Sequence, residues 1–312
     1  MTGQWWLLSA GAGVASAVLY GVTAPGPLGA MMIAVLVTVP LFMAGLSMGA
    51  LAGAAASAVG IATALALHGA PVAGIFAMSF GIPVAILVRQ ALLSRNDEGV
   101  VEWYPAGLLA ATLTMIGLAL AVAFTVILPL LGVQDLAEAM LRGFAQNFAA
   151  DTEGVTAEEL LSQINLERIL RMLPGMVAGF WMLALLAGGA MAQNILEKMG
   201  RNLRPSPDFA GIELPNWLAV VAAASMAAGM FVPGPIGAYA VSMAFAACFP
   251  FLIQGLALVH SFIKKIQGGT ILLVIFYLLV FPTVWPATLI VLLGAVEQFA
   301  GFRQRWKNKT EA

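Results

Sequence analysis

MTGQWWLLSAGAGVASAVLYGVTAPGPLGAMMIAVLVTVPLFMAGLSMGALAGAAASAVGIATALALHGAPVAGIFAMSFGIPVAILVR, residues 1–89, holds no aspartate, glutamate, lysine or arginine before its final residue, Arg89. A transmembrane helix takes roughly 20 apolar residues, so this stretch has room for four crossings. Breaker residues divide it at Pro25, Gly26 and Pro27, more weakly near Gly45 to Ser47, and again at His68 to Pro71. Proline and glycine punctuate helices by fixing or freeing backbone torsions. No basic residue precedes the first apolar run and no small-residue cleavage site follows it, so the first span is expected to stay rather than be removed as a secretory signal.

The rest of the chain agrees with its first third. Hydrophobic residues make up 61% and charged residues 9%, where an ordinary soluble domain has about 45–50% and about 25%; a water-soluble globule is excluded. The 33 glycines among 312 residues suit closely packed transmembrane helices. One cysteine, Cys248, cannot close an intramolecular disulfide, and two histidines without a Cys or His pair form no recognisable zinc site. No metal or other cofactor is expected. With 14 basic and 15 acidic residues and a net charge of -1, the chain has no field to steer nucleic acid. It carries no HExxH, GxSxG or Walker motif, the paired Glu158 and Glu159 have no histidine nearby in sequence, and Ser79 lacks an evident base. An enzyme is not expected.

Further apolar runs cover about Pro105 to Leu131, Arg171 to Leu196, Asn216 to Val232 and Pro235 to Ile263. The uncharged stretch from Ile266 to Val296 is too long for one crossing at about 1.5 Å per residue, and Pro282 and Pro286 split it into a hairpin. The expected fold is an all-α polytopic transmembrane bundle of eight to ten spans, eight if one pair of early helices is re-entrant. Lysine and arginine near span ends are retained on the cytoplasmic side during insertion. Ten spans with both termini inside put Arg89, Arg95, Lys198, Arg201, Arg204, Lys264, Lys265, Arg303, Arg305, Lys307 and Lys309 in the cytoplasm, and only Arg142, Arg168 and Arg171 outside. Trp5, Trp6, Trp103, Trp217, Trp285 and Trp306 fall at membrane edges, where indoles are most comfortable; Trp181 is the exception. The expected location is the bacterial inner membrane. One transmembrane domain spans residues 1–312, with an insert at 132–170 and a basic tail at 303–312.

The insert, Gly132 to Leu170, is the sizeable polar segment and is expected to be an extracytoplasmic helical hairpin. Leu136, Met140, Phe144 and Phe148 make one apolar stripe, Asp151 to Gly154 make the turn, and a second helix begins at Thr156 with Glu159 completing a capping box, its apolar side supplied by Leu160, Leu161 and Ile164. The hairpin either covers the bundle's outer surface or acts as a lid over an outward cavity. Elsewhere, Pro25 to Ala30 is echoed by Pro233 to Ala238, which is explained either by shared turn chemistry or by a duplicated hairpin.

Small residues recur every four positions at Ser9, Gly13, Ala17 and Gly21, and at Gly45, Gly49, Gly53 and Ser57. Such ridges let helices approach closely. The first is either an internal seam or a docking face for another membrane protein. Polar side chains inside spans gather toward the predicted cytoplasmic half: Gln193, Asn194, Gln254, His260 and Glu297, with Asn216 and Arg89 at the edge. Glu297, Gln254, His260, Asn194, Asn216 and Trp181 are the candidates for ligand binding or coupling. Glu297 is the costliest, since Leu293, Gly294, Ala300 and Gly301 offer it no base on its own helix. It must find Arg89, Lys264, Lys265 or water, or be protonated.

Leu214, Pro215, Asn216 and Trp217, then Gln254 to Val259, then Leu293 and Gly294 followed by Phe302 and Arg303, resemble the YybS-type family of uncharacterised bacterial membrane proteins. That family is remotely similar to the substrate-binding membrane components of energy-coupling-factor transporters, which pair with a separate membrane scaffold and ATPases. The resemblance implies a small-solute-binding transport component without its own ATPase, and makes Ser9, Gly13, Ala17 and Gly21 the scaffold-facing surface. Those components usually have six spans, and no vitamin-pocket motif carries over. The alternative is a non-transporting assembly or regulatory partner. The partners expected are membrane lipid and another membrane protein; no particular small molecule is implied.

Overall fold

The computed structural model describes residues 4–22, 26–97, 99–130, 156–163, 166–207, 212–263, 266, 268–280 and 284–301, with scattered positions between 132 and 149. Its helices are α1 (Trp5–Tyr20), α2 (Gly26–Met48), α3 (Ala50–His68), α4 (Ala70–Phe76), a π-helical turn (Ala77–Gly81), α5 (Ile82–Ala91), α6 (Ala106–Leu130), α7 (Ala157–Gln163), α8 (Leu166–Lys198), α9 (Asn216–Phe231), α10 (Gly234–Ile263), α11 (Gly269–Val280) and α12 (Val284–Ala300). Two strands, β1 (Ser94–Asp97) and β2 (Val100–Trp103), lie between α5 and α6.

Among the described residues, six helical segments are long and apolar enough to cross a membrane: Leu28–Met48, Ala50–His68, Ala70–Ala91, Ala106–Ile127, Ile169–Lys198 and Ile236–Ile263. Trp5–Tyr20, Asn216–Phe231 and Pro286–Ala300 are apolar but shorter. A helix of 16 residues, the length of α1 and α9, spans about 24 Å, less than the ~30 Å hydrocarbon core. Length thus separates the six from the larger number expected.

The backbone breaks near the predicted turns. Gly26, Gly69 and Gly234 have φ of 72°, 83° and 76°, a region glycine alone enters without a Cβ penalty. The turn expected at Gly45 to Ser47 instead falls at Gly49, with φ 108°; α2 continues through Met48 because nothing in Gly45–Ser47 interrupts its hydrogen bonds. α8 starts at Leu166, ahead of the expected Arg171, and ends in a Schellman motif. There Gly200, φ 63°, donates to Glu197 O at 3.0 Å while Arg201 N donates to Leu196 O at 2.9 Å.

The strands add one short hairpin to a mostly helical chain. Asp97 pairs with Val100 and Arg95 with Glu102 in an antiparallel ladder, so two residues make the turn, one of them Gly99 at φ 91°. The Arg95 guanidinium meets the Glu102 carboxylate at 2.6 Å across the strands. An Asp-Glu-Gly turn between Arg95 and Val100 is a hairpin signal of short range, easily lost beside the dominant helical periodicity.

In the insert, the capping box forms: Thr156 N donates to Glu159 Oε2 at 3.1 Å and Glu159 N donates to Thr156 Oγ1 at 3.2 Å. These bonds to the ionised form hold the Glu159 carboxyl below the usual carboxylate range. Arg142 pairs with Glu138 one helical turn away. The stripe Leu136, Met140, Phe144 and Phe148, the Asp151 to Gly154 turn and Ile164 lie outside the described residues.

Chain packing forms two compact units, one of Met1–Ile116, Phe180–Asn216 and Pro250–Ala312, the other of Gly117–Gly179 and Trp217–Phe249. In the first, α1 lies on α3 so closely that a Cβ on Gly13 would collide with Ala56 O and stand 2.8 Å from Gly60 N. α8 meets α2 the same way, with Gly188 against Thr38. In the second, Gly175 of α8 is pressed on the backbone of Ser242 in α10.

At three of the prolines in these helices, Pro40, Pro83 and Pro174, another helix donates to the turn before the proline. Proline has no N–H for the carbonyl four residues back, and its ring pushes the preceding turn open. Before Pro40, Val37 O accepts from Ser16 Oγ at 2.6 Å. Before Pro83, Ser79 O accepts from the Trp181 indole Nε1 at 2.5 Å. Before Pro174, Arg171 O accepts from Ser242 Oγ at 2.6 Å. Without water, freed backbone groups must be re-satisfied from within the protein, and these three donors do so.

Candidate functional site

Three of the residues expected to act lie in α10 and α12. Phe251, Gln254, Gly255 and Leu258 are buried on one face of α10, and Ile290, Gly294 and Glu297 on one face of α12. The two faces meet backbone to backbone. A Cβ on Gly255 would collide with Ile290 O, and one on Gly294 would collide with Phe251 O and lie 2.8 Å from Gly255 N. Gln254 and Glu297 thus flank a crossing that only glycine permits. Gln254 is 3% exposed and its Oε1 has no hydrogen-bond partner. Glu297, 4% exposed, is engaged in an interaction, as is the half-buried His260. Arg89 is exposed, and Lys264 and Lys265 lie outside the described residues.

The other candidates are elsewhere. Asn216 begins α9, and its Oδ1 accepts from Gln298 Nε2 at 3.0 Å, while the same amide donates to Leu214 O at 2.6 Å. Gln298 thereby ties the end of α12 to the segment entering α9. The sequence reading passed over Gln298, which sits one residue from Glu297 among apolar neighbours and signals nothing by spacing. Asn194 is exposed; the buried amide is its neighbour Gln193, which donates to Arg204 O at 2.7 Å. Trp181 is buried at 7% exposure, with its indole spent on Ser79 O.

Arg204, assigned by sequence only to topology, is 7% exposed. Its guanidinium donates to Ala91 O at 3.0 Å and Tyr104 O at 2.9 Å, bridging the two legs of the β-hairpin, where Tyr104 N also donates to Leu93 O at 2.9 Å. Gln193 and Asn202 both donate to the Arg204 carbonyl, and Leu203 N donates to Leu46 O at 3.1 Å. No carboxylate pairs with this cation among the described residues. The negative end of a helix dipole stands in for one: Ala91 is the last residue of α5. Burial pushes the Arg204 pKa down from its ordinary value.

Of the four docking candidates, Ser9, Gly13 and Ala17 are buried within the chain, with Gly13 on α3. They are therefore covered by this chain's own helices. Gly21 is exposed, and the His68 imidazole stands 2.8 Å from where its Cβ would be. Among the described residues no group of three or more His, Cys, Asp or Glu could hold a metal ion.

The arrangement offers amide, hydroxyl and carboxylate groups inside apolar helices. Residues 14–296 match the family model described as "Predicted membrane protein (DUF2232)". No curated protein and no solved structure matches the chain.

Proposed function

We propose, for a chain that belongs to this family of predicted membrane proteins, a multi-pass membrane protein of the bacterial inner membrane that binds a small solute for uptake and relies on a separate ATPase. Gln254 carries this reading. A buried carboxamide oxygen left without a donor costs about 1–3 kcal/mol, and polar groups held inside spans mark substrate and ion pathways. A solute with an N–H or O–H facing Gln254 Oε1 would recover that cost. The resemblance to substrate-binding components of energy-coupling-factor transporters supports the same reading.

Native mass spectrometry of the protein purified in mild detergent tests it. The expected result is a retained small molecule that is lost from Gln254→Leu while the variant keeps the elution profile of the parent. A small molecule retained equally by both would overturn the role of Gln254. A retained protein with no small molecule would favour the assembly-partner reading instead.

The topology proposed with it is ten crossings with both termini cytoplasmic. It is supported by the six long and three shorter apolar helices and by the basic residues that cluster on alternate connections. In a Cys248→Ala background, Ser206→Cys and Thr310→Cys should be labelled from the same face. Labelling from opposite faces would remove this topology.

A further inference from the structure

The bonds around Arg204 tie two connections of the first unit together. Its guanidinium holds Ala91 O and Tyr104 O at the base of the β-hairpin, and Leu203 N beside it holds Leu46 O in the last turn of α2. Three exposed cations lie close to that knot along the chain: Arg89, two residues before Ala91, and Lys198 and Arg201, six and three residues before Arg204. Arg89 and Lys198 occupy the last turns of α5 and α8. None of the three is ion-paired among the described residues. Of the described carboxylates on these connections, Glu197 accepts from Ser206 Oγ at 2.6 Å, Glu102 pairs with Arg95, and Glu213 is engaged as well. Asp97 stands at the far end of the hairpin, opposite Val100.

Large apolar side chains are exposed among these cations: Leu93 at 44%, Met199 at 53% and Leu203 at 47%. All three lie beyond the ends of the apolar spans. Leu93 is two residues past α5 and Met199 one past α8, which is at most ~7 Å of extended chain. A bilayer of about 40–45 Å has a hydrocarbon core of ~30 Å, so its headgroup layer is of similar thickness on each side. These side chains therefore stand at the headgroup layer rather than in open water. Half-buried Trp103, three residues before α6, has the indole favoured at that depth.

We propose that this end of the unit binds the headgroup of an anionic phospholipid, with Arg89, Lys198 and Arg201 meeting its phosphate and Leu93, Met199 and Leu203 entering the boundary between headgroups and acyl chains. Cations set among apolar side chains are what an anionic leaflet attracts, and the fork of an unpaired arginine matches phosphate oxygens. Arg204 is not a ligand of the lipid. Its guanidinium is spent on carbonyls and holds the two connections side by side. The site is separate from Gln254 and does not depend on the solute reading.

The experiment titrates phosphatidylglycerol or phosphatidylcholine onto the full-length protein in mild detergent and counts bound lipid by native mass spectrometry. The parent is expected to retain phosphatidylglycerol about tenfold more tightly, or better. Arg89→Gln, Lys198→Gln and Arg201→Gln together should weaken phosphatidylglycerol about a hundredfold, at roughly fivefold per cation, and leave phosphatidylcholine unchanged. Taking three charges from the tail instead, with Arg303→Gln, Arg305→Gln and Lys307→Gln, should leave both lipids as in the parent. Arg201→Gln alone, expected to lose about fivefold, keeps the test open if the triple variant misinserts. Inorganic phosphate should not compete. Equal retention of the two lipids by the parent, parental retention in Arg201→Gln, an equal loss in the tail variant, or displacement by inorganic phosphate overturns the proposal.

Discussion

Replacing Arg204 with methionine should destabilise the protein by about 3 kcal/mol, read as a lower midpoint in detergent unfolding curves. Methionine fills similar apolar volume but leaves Ala91 O and Tyr104 O without the donors at 3.0 and 2.9 Å. Each buried acceptor left unpaired costs about 1–3 kcal/mol, partly offset because the charge no longer has to be kept out of water. Arg204→Lys should recover only part of the loss. A single ammonium lacks the planar fork that reaches two carbonyls at once. Were Arg204→Met within 0.5 kcal/mol of the parent, the guanidinium would be an ornament of the hairpin base rather than its clamp. The effect should resist added salt, since screening acts weakly on buried charge.

The second large effect is expected from one helix that supplies its own control. Gly13→Leu should abolish folding or cost ~3 kcal/mol and more, at the top of the range for overpacking, because the obstacle is backbone: Ala56 O and Gly60 N cannot swing aside as a flexible side chain could. Gly11→Leu, two residues away, meets nothing within 4 Å and should be neutral or slightly stabilising, since leucine is the better helix former by up to about 1 kcal/mol. Detergent-solubilised yield and Tm of the two variants decide the matter. Equal behaviour would mean that α1 does not rest on α3 in the membrane, and would restore Ser9, Gly13 and Ala17 as a surface for another protein.

The apolar segments were legible because hydrocarbon imposes a strong one-dimensional rule: a run of about 20 residues without charge. Turn chemistry was legible wherever glycine had to take positive φ, as at Gly26, Gly69 and Gly234. The Thr156–Glu159 capping box could be read for the same reason, since both partners sit within one helical turn. The β-hairpin was missed because its signal occupies only a few residues between two long apolar runs. Span count was less legible, because hydropathy alone does not measure helix length: six of the described helices are long enough to cross, and α1 and α9 are 16 residues each.

At the candidate site, Gln254 and Glu297 could be picked out as polar residues in apolar surroundings. That the glycines beside them, Gly255 and Gly294, form one crossing could not, because they lie on helices separated by a third. Trp181 stood out as the tryptophan away from a membrane edge, but its partner is the Ser79 carbonyl, 102 residues distant. Arg204 looked like one more cation on a loop.

By itself, the order of residues determined the solvent and the helical elements, since both follow from local composition and from torsional limits at glycine and proline. Only the folded chain decided which polar groups are spent on structure and which remain to be met. Hydrogen bonds to backbone carbonyls join residues far apart in sequence, so Ser16, Trp181, Ser242 and Arg204 are consumed, while Ser57 and Gln254 keep a buried oxygen without a partner.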